Sequence, residues 1–159
     1  GAMNCLARGM GPSEMLYILC KGRTWYLVGA TTKVVLEGEL SERVYARDVI
    51  HYIPGQYGDF TGRNLEWYGE GLSSIDVDGR LTMATISAEL SAEFSLFPYD
   101  DVLAKYLEGR AKWDFEPALP DDDARRLLLD PPVIVLAQPV IDLYEQGISA
   151  ISNERFELR

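Results

Sequence analysis

Every apolar run in this 159-residue chain is short. MLYILC (15–20), TWYLV (24–28), VVL (34–36) and VIVLA (133–137) end within six residues at glycine, proline, polar or charged neighbours. A bilayer-spanning helix needs about 20 consecutive apolar residues, so these runs are strand-sized. The chain is confined to short elements around one core. At 17.8 kDa and 47% hydrophobic residues it has the material for one such core and not for two.

The order of signals suggests how that core is built. MLYILC and TWYLV flank Lys21-Gly22-Arg23, which predicts a hairpin, and TKVVLEGE supplies a third strand. Between 41 and 53, Ala46, Val49, Ile50 and Ile53 recur at helical spacing behind Ser41 as a cap, while the valines, isoleucines and tyrosines keep a strand open. Pro54-Gly55 ends the segment in either case. Asp78-Gly79 resembles a hairpin turn, and GRLTMATISAELSAEF then reads as a long strand with a bulge, or alternatively as a helix through Ile86, Leu90 and Phe94. Asp100 to Glu108 is a short helix stopped by Gly109. AKWDFE alternates as a half-buried strand, and a helix from Pro120 to Leu129, the VIVLA strand, a helix in PVIDLYEQG and a last strand in RFELR follow. The expected class is α+β: an antiparallel sheet with several short helices, weighted toward the C-terminal half. Residues 13–159 form the expected single compact domain. Gly1-Ala2 reads as the scar of a cleaved tag, and 3–12 as a loosely ordered N-terminus.

The net charge is −10 and the pI about 4.5, with acids outnumbering bases 13 to 7 from residue 100 onward. Such a surface repels phosphate backbones and anionic membranes, which argues against a nucleic-acid or membrane partner and favours a basic protein. Cys20 closes an apolar run and reads as a buried thiol, and Cys5 stands apart from it, so a reducing compartment is expected. With no basic-flanked apolar leader, the expected location is cytoplasmic.

One stretch concentrates the chemistry: HYIPGQYGDFTGRNLEWYGEGLSSIDVDG, residues 51–79. Its glycine spacing matches neither a dinucleotide fingerprint nor a phosphate loop. His51 is the sole histidine, so any Ser-His-Asp or Cys-His enzyme would route its base through it, but between Ile50 and Tyr52 it reads as a structural residue. One histidine and two separated cysteines do not make a zinc site. Asp76, Asp78 and Gly79 open like a calcium loop, yet Leu81 and Ser87 occupy the positions that would need Gly and Glu. No cofactor or metal is expected.

Asp59, Glu66, Glu70 and Asp76, beside Tyr57, Trp67 and Tyr68, would suit a carboxylate-dependent hydrolase of a sugar-like substrate if they met in a cleft. The same aromatics on a polar, glycine-rich backbone also suit an interface. The sequence therefore leads to a non-enzymatic binding protein that occludes a basic partner, in its most concrete form an immunity or antitoxin-type inhibitor. The expected contact residues are Tyr57, Asp59, Phe60, Arg63, Glu66, Trp67, Tyr68 and Glu70. A chaperone or adaptor for a basic effector, the small hydrolase, and a structural subunit of a phage or envelope assembly are the alternatives.

Overall fold

The computed structural model describes residues 1–26, 28–117, 119 and 121, and the backbone of 133–136. The expected helices at 120–129 and in PVIDLYEQG, and the strand in RFELR, lie outside the described residues. The elements in chain order are α1 (Pro12–Lys21), β1 (Ala30–Leu36), α2 (Ala46–Tyr57), β2 (Arg63–Tyr68), α3 (Val77–Ile86), β3 (Ser95–Leu96), α4 (Asp101–Leu107) and β4 (Val133–Leu136). Short 3-10 turns at Glu70–Ser74 and Ser87–Leu90 flank α3.

The described strands form one sheet in the order β3-β2-β1-β4, and every pairing is parallel. Val34 stands opposite Trp67 and Ile134, and Leu65 opposite Ser95. Parallel neighbours cannot be joined by a hairpin, so each connection must cross the sheet. α2 makes the crossover from β1 to β2, and α3 with its flanking turns makes the one from β2 to β3. The expected antiparallel α+β class is thus corrected to a parallel α/β arrangement, with helices spread along the chain rather than gathered at its C-terminal half.

Local chemistry explains each misread element. The predicted first strand is α1: Pro12 and Glu14 suit its first turn, and Lys21 its last. The apparent hairpin turn at Gly22 is a helix C-cap, with φ of 65° and its N–H donating to Ile18 O at 2.7 Å. The apparent turn at Asp78-Gly79 lies inside the first turn of α3, because Asp76 caps that helix by accepting from the Gly79 N–H at 2.7 Å. Gly79 is needed there: a Cβ would stand 2.9 Å from Ile75 Cγ2 and 3.0 Å from Ala46 Cβ, where α3 crosses α2. α2 runs through Pro54 to Tyr57, its entry fixed by the Tyr45 N–H donating to Asp48 Oδ2 at 2.9 Å. The AKWDFE segment is not a strand, and Ala111, Trp113 and Phe115 are all exposed. Only Asp101–Leu107 and the two strands β1 and β4 follow the expected element type.

One face of the sheet is buried. Thr32, Val34 and Leu36 of β1 and Leu65 and Trp67 of β2 alternate inward, and the apolar members join Ile50 and Ile53 of α2 and Met83 of α3 in a single core. Gly69 lets β2 end tightly against β1: its φ is 98°, and a Cβ there would meet the Leu36 backbone. Ala2 is also buried, and the Gly1 carbonyl accepts from Phe97 N at 3.2 Å, so the first residues are built onto the end of β3. Among the described residues no helix is long and apolar enough to cross a membrane.

A charge sits at the centre of this apolar packing. Arg80 on α3 is wholly buried. Its Nη1 and Nη2 donate to the two oxygens of Asp100 at 2.8 and 2.6 Å, Nη2 also to Leu72 O at 2.9 Å, and Nε to Ile75 O at 3.2 Å. The guanidinium lies 5.8 Å from the centre of the Phe97 ring, which stacks on Trp67 at 5.3 Å. Asp100 meanwhile caps α4 by accepting from Leu103 N. Burial alone would raise the Asp100 carboxyl, but the hydrogen bonds from Arg80, Leu103 and Val102 and the Arg80 charge outweigh it and hold the carboxyl below its ordinary 3.8.

Removing Asp100 strands a buried cation, and Asp100→Ala should cost about 3–5 kcal/mol, seen as a lower urea midpoint with an unchanged slope. Because the folded-state carboxyl titrates below the unfolded one, the stabilisation from this pair is complete above the ordinary carboxylate value and is lost as pH falls through the lower folded value. Acid titrations of stability should show that loss in the parent and not in Asp100→Ala.

Candidate functional site

The helix α3 does not stop cleanly. It tightens into the 3-10 turn Ser87–Leu90 and ends at Ser91, a non-glycine residue with φ of 62°. Along this stretch Ala84, Ser87, Ala88, Ser91 and Ala92 are all small, and with Leu81 and Thr85 they come to one side of the helix end. That side forms the wall of a cleft of about 750 Å³, closed by Thr61 and Gly62 before β2, by Glu93 to Ser95 leading into β3, and by the segment around Arg8.

The cleft has a defined polarity. Thr85 Oγ1 donates to Leu81 O at 2.8 Å and Ser87 Oγ to Met83 O at 2.8 Å, so both hydroxyl protons are committed to the helix and their lone pairs remain as acceptors. Among the described residues lining the cleft, Arg8 and Glu93 carry the only charged side chains. Arg8 Nη1 stands 3.3 Å from Glu93 Oε2, and Nη2 stands 3.7 Å from Glu14 Oε2 on α1. Both distances exceed the 2.7–2.9 Å of a close charge-assisted hydrogen bond. The guanidinium is held between two carboxylates, one of which, Glu93, lines the cleft with it.

The residues expected from sequence to form one contact surface are placed on several. Phe60 and Trp67 are in the core, and Trp67 Nε1 donates to Ser95 Oγ at 2.8 Å. Arg63 Nε donates to Thr32 Oγ1 at 2.7 Å. Tyr57 is exposed at the end of α2, Asp59 accepts from the Thr61 N–H in the following loop, and Glu70 is exposed in the turn beyond β2. Only Glu66 and Tyr68 meet, on the outer face of the sheet, where the Tyr68 hydroxyl donates to Glu66 Oε2 at 2.7 Å and Lys33 Nζ lies 4.7 Å above the ring. Burial first, then the hydrogen bond and charge of Glu66, push the Tyr68 hydroxyl far above its ordinary value of 10.0. Asp76 is spent on the α3 cap, so the four carboxylates of the sequence-based site do not converge. His51 is exposed on α2, its Nε2 facing Arg47 Nε at 3.5 Å. Cys5 and Cys20 are free and exposed, which corrects the expectation of a buried Cys20. Among the described residues no group of three or more His, Cys, Asp or Glu stands together to hold a metal ion.

Sequence reasoning missed the cleft because it preferred a strand to a helix over 79–94, and in a strand the small residues would scatter over both faces. The signal was present in the i, i+3, i+4, i+7, i+8 recurrence of alanine and serine from 84 to 92.

Comparison with known proteins places this sequence in a family. Residues 1–125 match the aconitase family (aconitate hydratase). The chain is 46% identical over 124 residues to the 3-isopropylmalate dehydratase large subunit of Mycolicibacterium smegmatis, covering 78% of this chain and 29% of that protein. It is 34% identical over 126 residues to the large subunit of the same name from Halothermothrix orenii, covering 78% and 30%. It is 33% identical over 129 residues to a probable methanogen homoaconitase large subunit from Methanosarcina mazei, covering 80% and 33%. The chain spans about a third of the length of the curated relatives it matches. These matches overturn the expectation of a non-enzymatic inhibitor, immunity protein or antitoxin. The charge that suggested a basic toxin as partner was a property of composition, and no motif supported that inference. Of the alternatives weighed, the enzyme stands closer to this family than the inhibitor does.

Two outcomes follow from the site geometry. Ser91→Gly should raise stability by no more than about 1 kcal/mol in chemical denaturation, because relief of the left-handed backbone, about 1–2 kcal/mol, is partly offset by the larger unfolded-state entropy of glycine. In an alkaline titration followed by phenolate absorbance, Tyr68 should ionise after the exposed tyrosines. Its contribution to stability is complete below pH 10 and declines as pH rises toward the raised folded-state value; Tyr68→Phe should abolish that late step.

Proposed function

The chain belongs to the aconitase family, and from that membership we propose that it is a segment of a large subunit of the 3-isopropylmalate dehydratase kind, acting on a hydroxy-dicarboxylic acid by removal of water. The observation that carries the reading is the 46% identity to the Mycolicibacterium smegmatis large subunit, sustained over 124 residues. The cleft supports it. A dicarboxylate requires a cation, and Arg8 is the one cationic side chain among the described residues lining the cleft; a substrate carboxylate would take the place of Glu93 or Glu14 beside it. A substrate hydroxyl requires an acceptor, and the exposed Thr85 hydroxyl, its proton already bound to Leu81 O, keeps its lone pairs for one. Small alanine walls leave room for a branched aliphatic group between them. A cytoplasmic location is part of the same proposal.

The test is an exchange. The 124 matching residues of the Mycolicibacterium smegmatis large subunit are replaced by those of this chain, and the chimera is assayed with that enzyme's other subunit for dehydration of 3-isopropylmalate, read as absorbance of the new carbon–carbon double bond. Turnover is expected. Arg8→Met in the chimera should lower kcat/KM at least about tenfold, equivalent to about 1.4 kcal/mol, mainly through KM, with Arg8→Lys recovering part of it. A soluble chimera, assembled with its other subunit and still without turnover, would falsify the reading.

A further inference from the structure

None of the ten residues of α1 is buried, although half of them are large and apolar. Leu16 is 63% exposed and Leu19 76%, with Met15 and Tyr17 beside them. The chain that follows continues the pattern, with Trp25 81% and Val28 78% exposed. A ten-residue helix is marginal by itself in water, and an amphipathic one is normally held by packing of its apolar face. Yet α1 is well formed at both ends, capped by Gly22 and tethered by Glu14, which accepts from Thr24 Oγ1 at 2.9 Å and faces Arg8. Helix and following segment thus expose a run of large apolar side chains of a kind that monomeric proteins rarely leave to solvent.

We propose that this surface is the seat for the part of an aconitase-family large subunit that lies outside this chain. Three observations select that occupant. First, the surface lies within residues 1–125, which match the family, so it belongs to the shared part of these proteins. Second, the relatives are about three times as long as the stretch they share with this chain, and that remaining length is the material able to cover it. Third, the charges carried by the helix and the turn after it are Lys21 and Arg23 against Glu14, whose carboxylate also faces Arg8: two cations at the end of the surface on a chain of net charge −10. A second copy docking the same face on itself would set these cations against one another, whereas an apolar face rimmed by carboxylates would complement them. The inference rests on the large-subunit reading above, but not on its activity.

Cys20 provides the probe, because it is exposed on α1. The isolated chain and the chimera described above are labelled with a small maleimide, and modification of Cys20 is followed by mass spectrometry of the peptide that carries it. At least tenfold slower labelling in the chimera is expected. Leu16→Lys combined with Leu19→Lys should leave the isolated chain's circular dichroism unchanged and restore fast labelling, or prevent accumulation of the soluble chimera. Equal labelling rates in chain and chimera overturn the proposal. So does an unsubstituted chimera that fails to fold, since the surface would then not fit the family's remainder. An isolated chain that is dimeric by light scattering, with Cys20 already protected, overturns it in favour of a second copy. A chimera that protects Cys20 and does not turn over substrate upholds the surface and removes only the activity.

Discussion

Arg80 is held out of water by the same elements that it joins. Its guanidinium spends one side on the two oxygens of Asp100 and the other on the carbonyls of Leu72 and Ile75, so α3, the 3-10 turn before it and the cap of α4 meet at one group. An isolated buried cation would be prohibitive, and a geometry this complete is what makes the burial tolerable. Placing Arg80 also places Phe97 and, by stacking, Trp67, which is hydrogen-bonded to Ser95 at the start of β3. The sheet order and the position of the α3 end both rest on this chain of contacts.

Function is positioned by that arrangement. Arg80 fixes the core side of α3, which Ser87 continues, while Ala88 and Ser91 at the helix end are exposed beside the leads into β2 and β3. The cleft arises there because small side chains leave volume that larger ones would fill. Ser91 completes it by turning the backbone through the left-handed region, an outlier of the kind found where a site requires a direction that ordinary backbone does not supply.

How much of this was legible beforehand can be judged on particular residues. The helical spacing of Ala46, Val49, Ile50 and Ile53 matches the buried face of α2, although the same segment also allowed a strand, and Asp100 with Gly109 bracketed α4, because capping and periodicity are local effects. The strand positions of β1 and β4 were equally local. The misreadings share one cause: a feature with two local meanings was resolved without its partner in space. Gly22 serves a hairpin turn or a helix C-cap, and Asp76 with Gly79 serves a turn or an N-terminus. Arg80 is the clearest case. In a strand it would be an ordinary outward charge; at helical spacing between Val77 and Met83 it announces a buried cation that needs a carboxylate, and that carboxylate is 20 residues away.

The sequence by itself determined short elements, a single core, an excess of negative charge and the absence of a membrane-length helix among the described residues, all of which follow from composition and local periodicity. It also held the family resemblance, in a form that only comparison over more than a hundred residues brings out. Tertiary structure alone decided that the strands run parallel, because direction depends on which segments cross over the sheet. It alone decided that Phe60 and Trp67 are buried, that the four acids of 59–76 stay apart, and that Arg8 and Glu93, separated by more than eighty residues, share one cleft. Convergence of distant side chains is set by packing, and packing has no local signature.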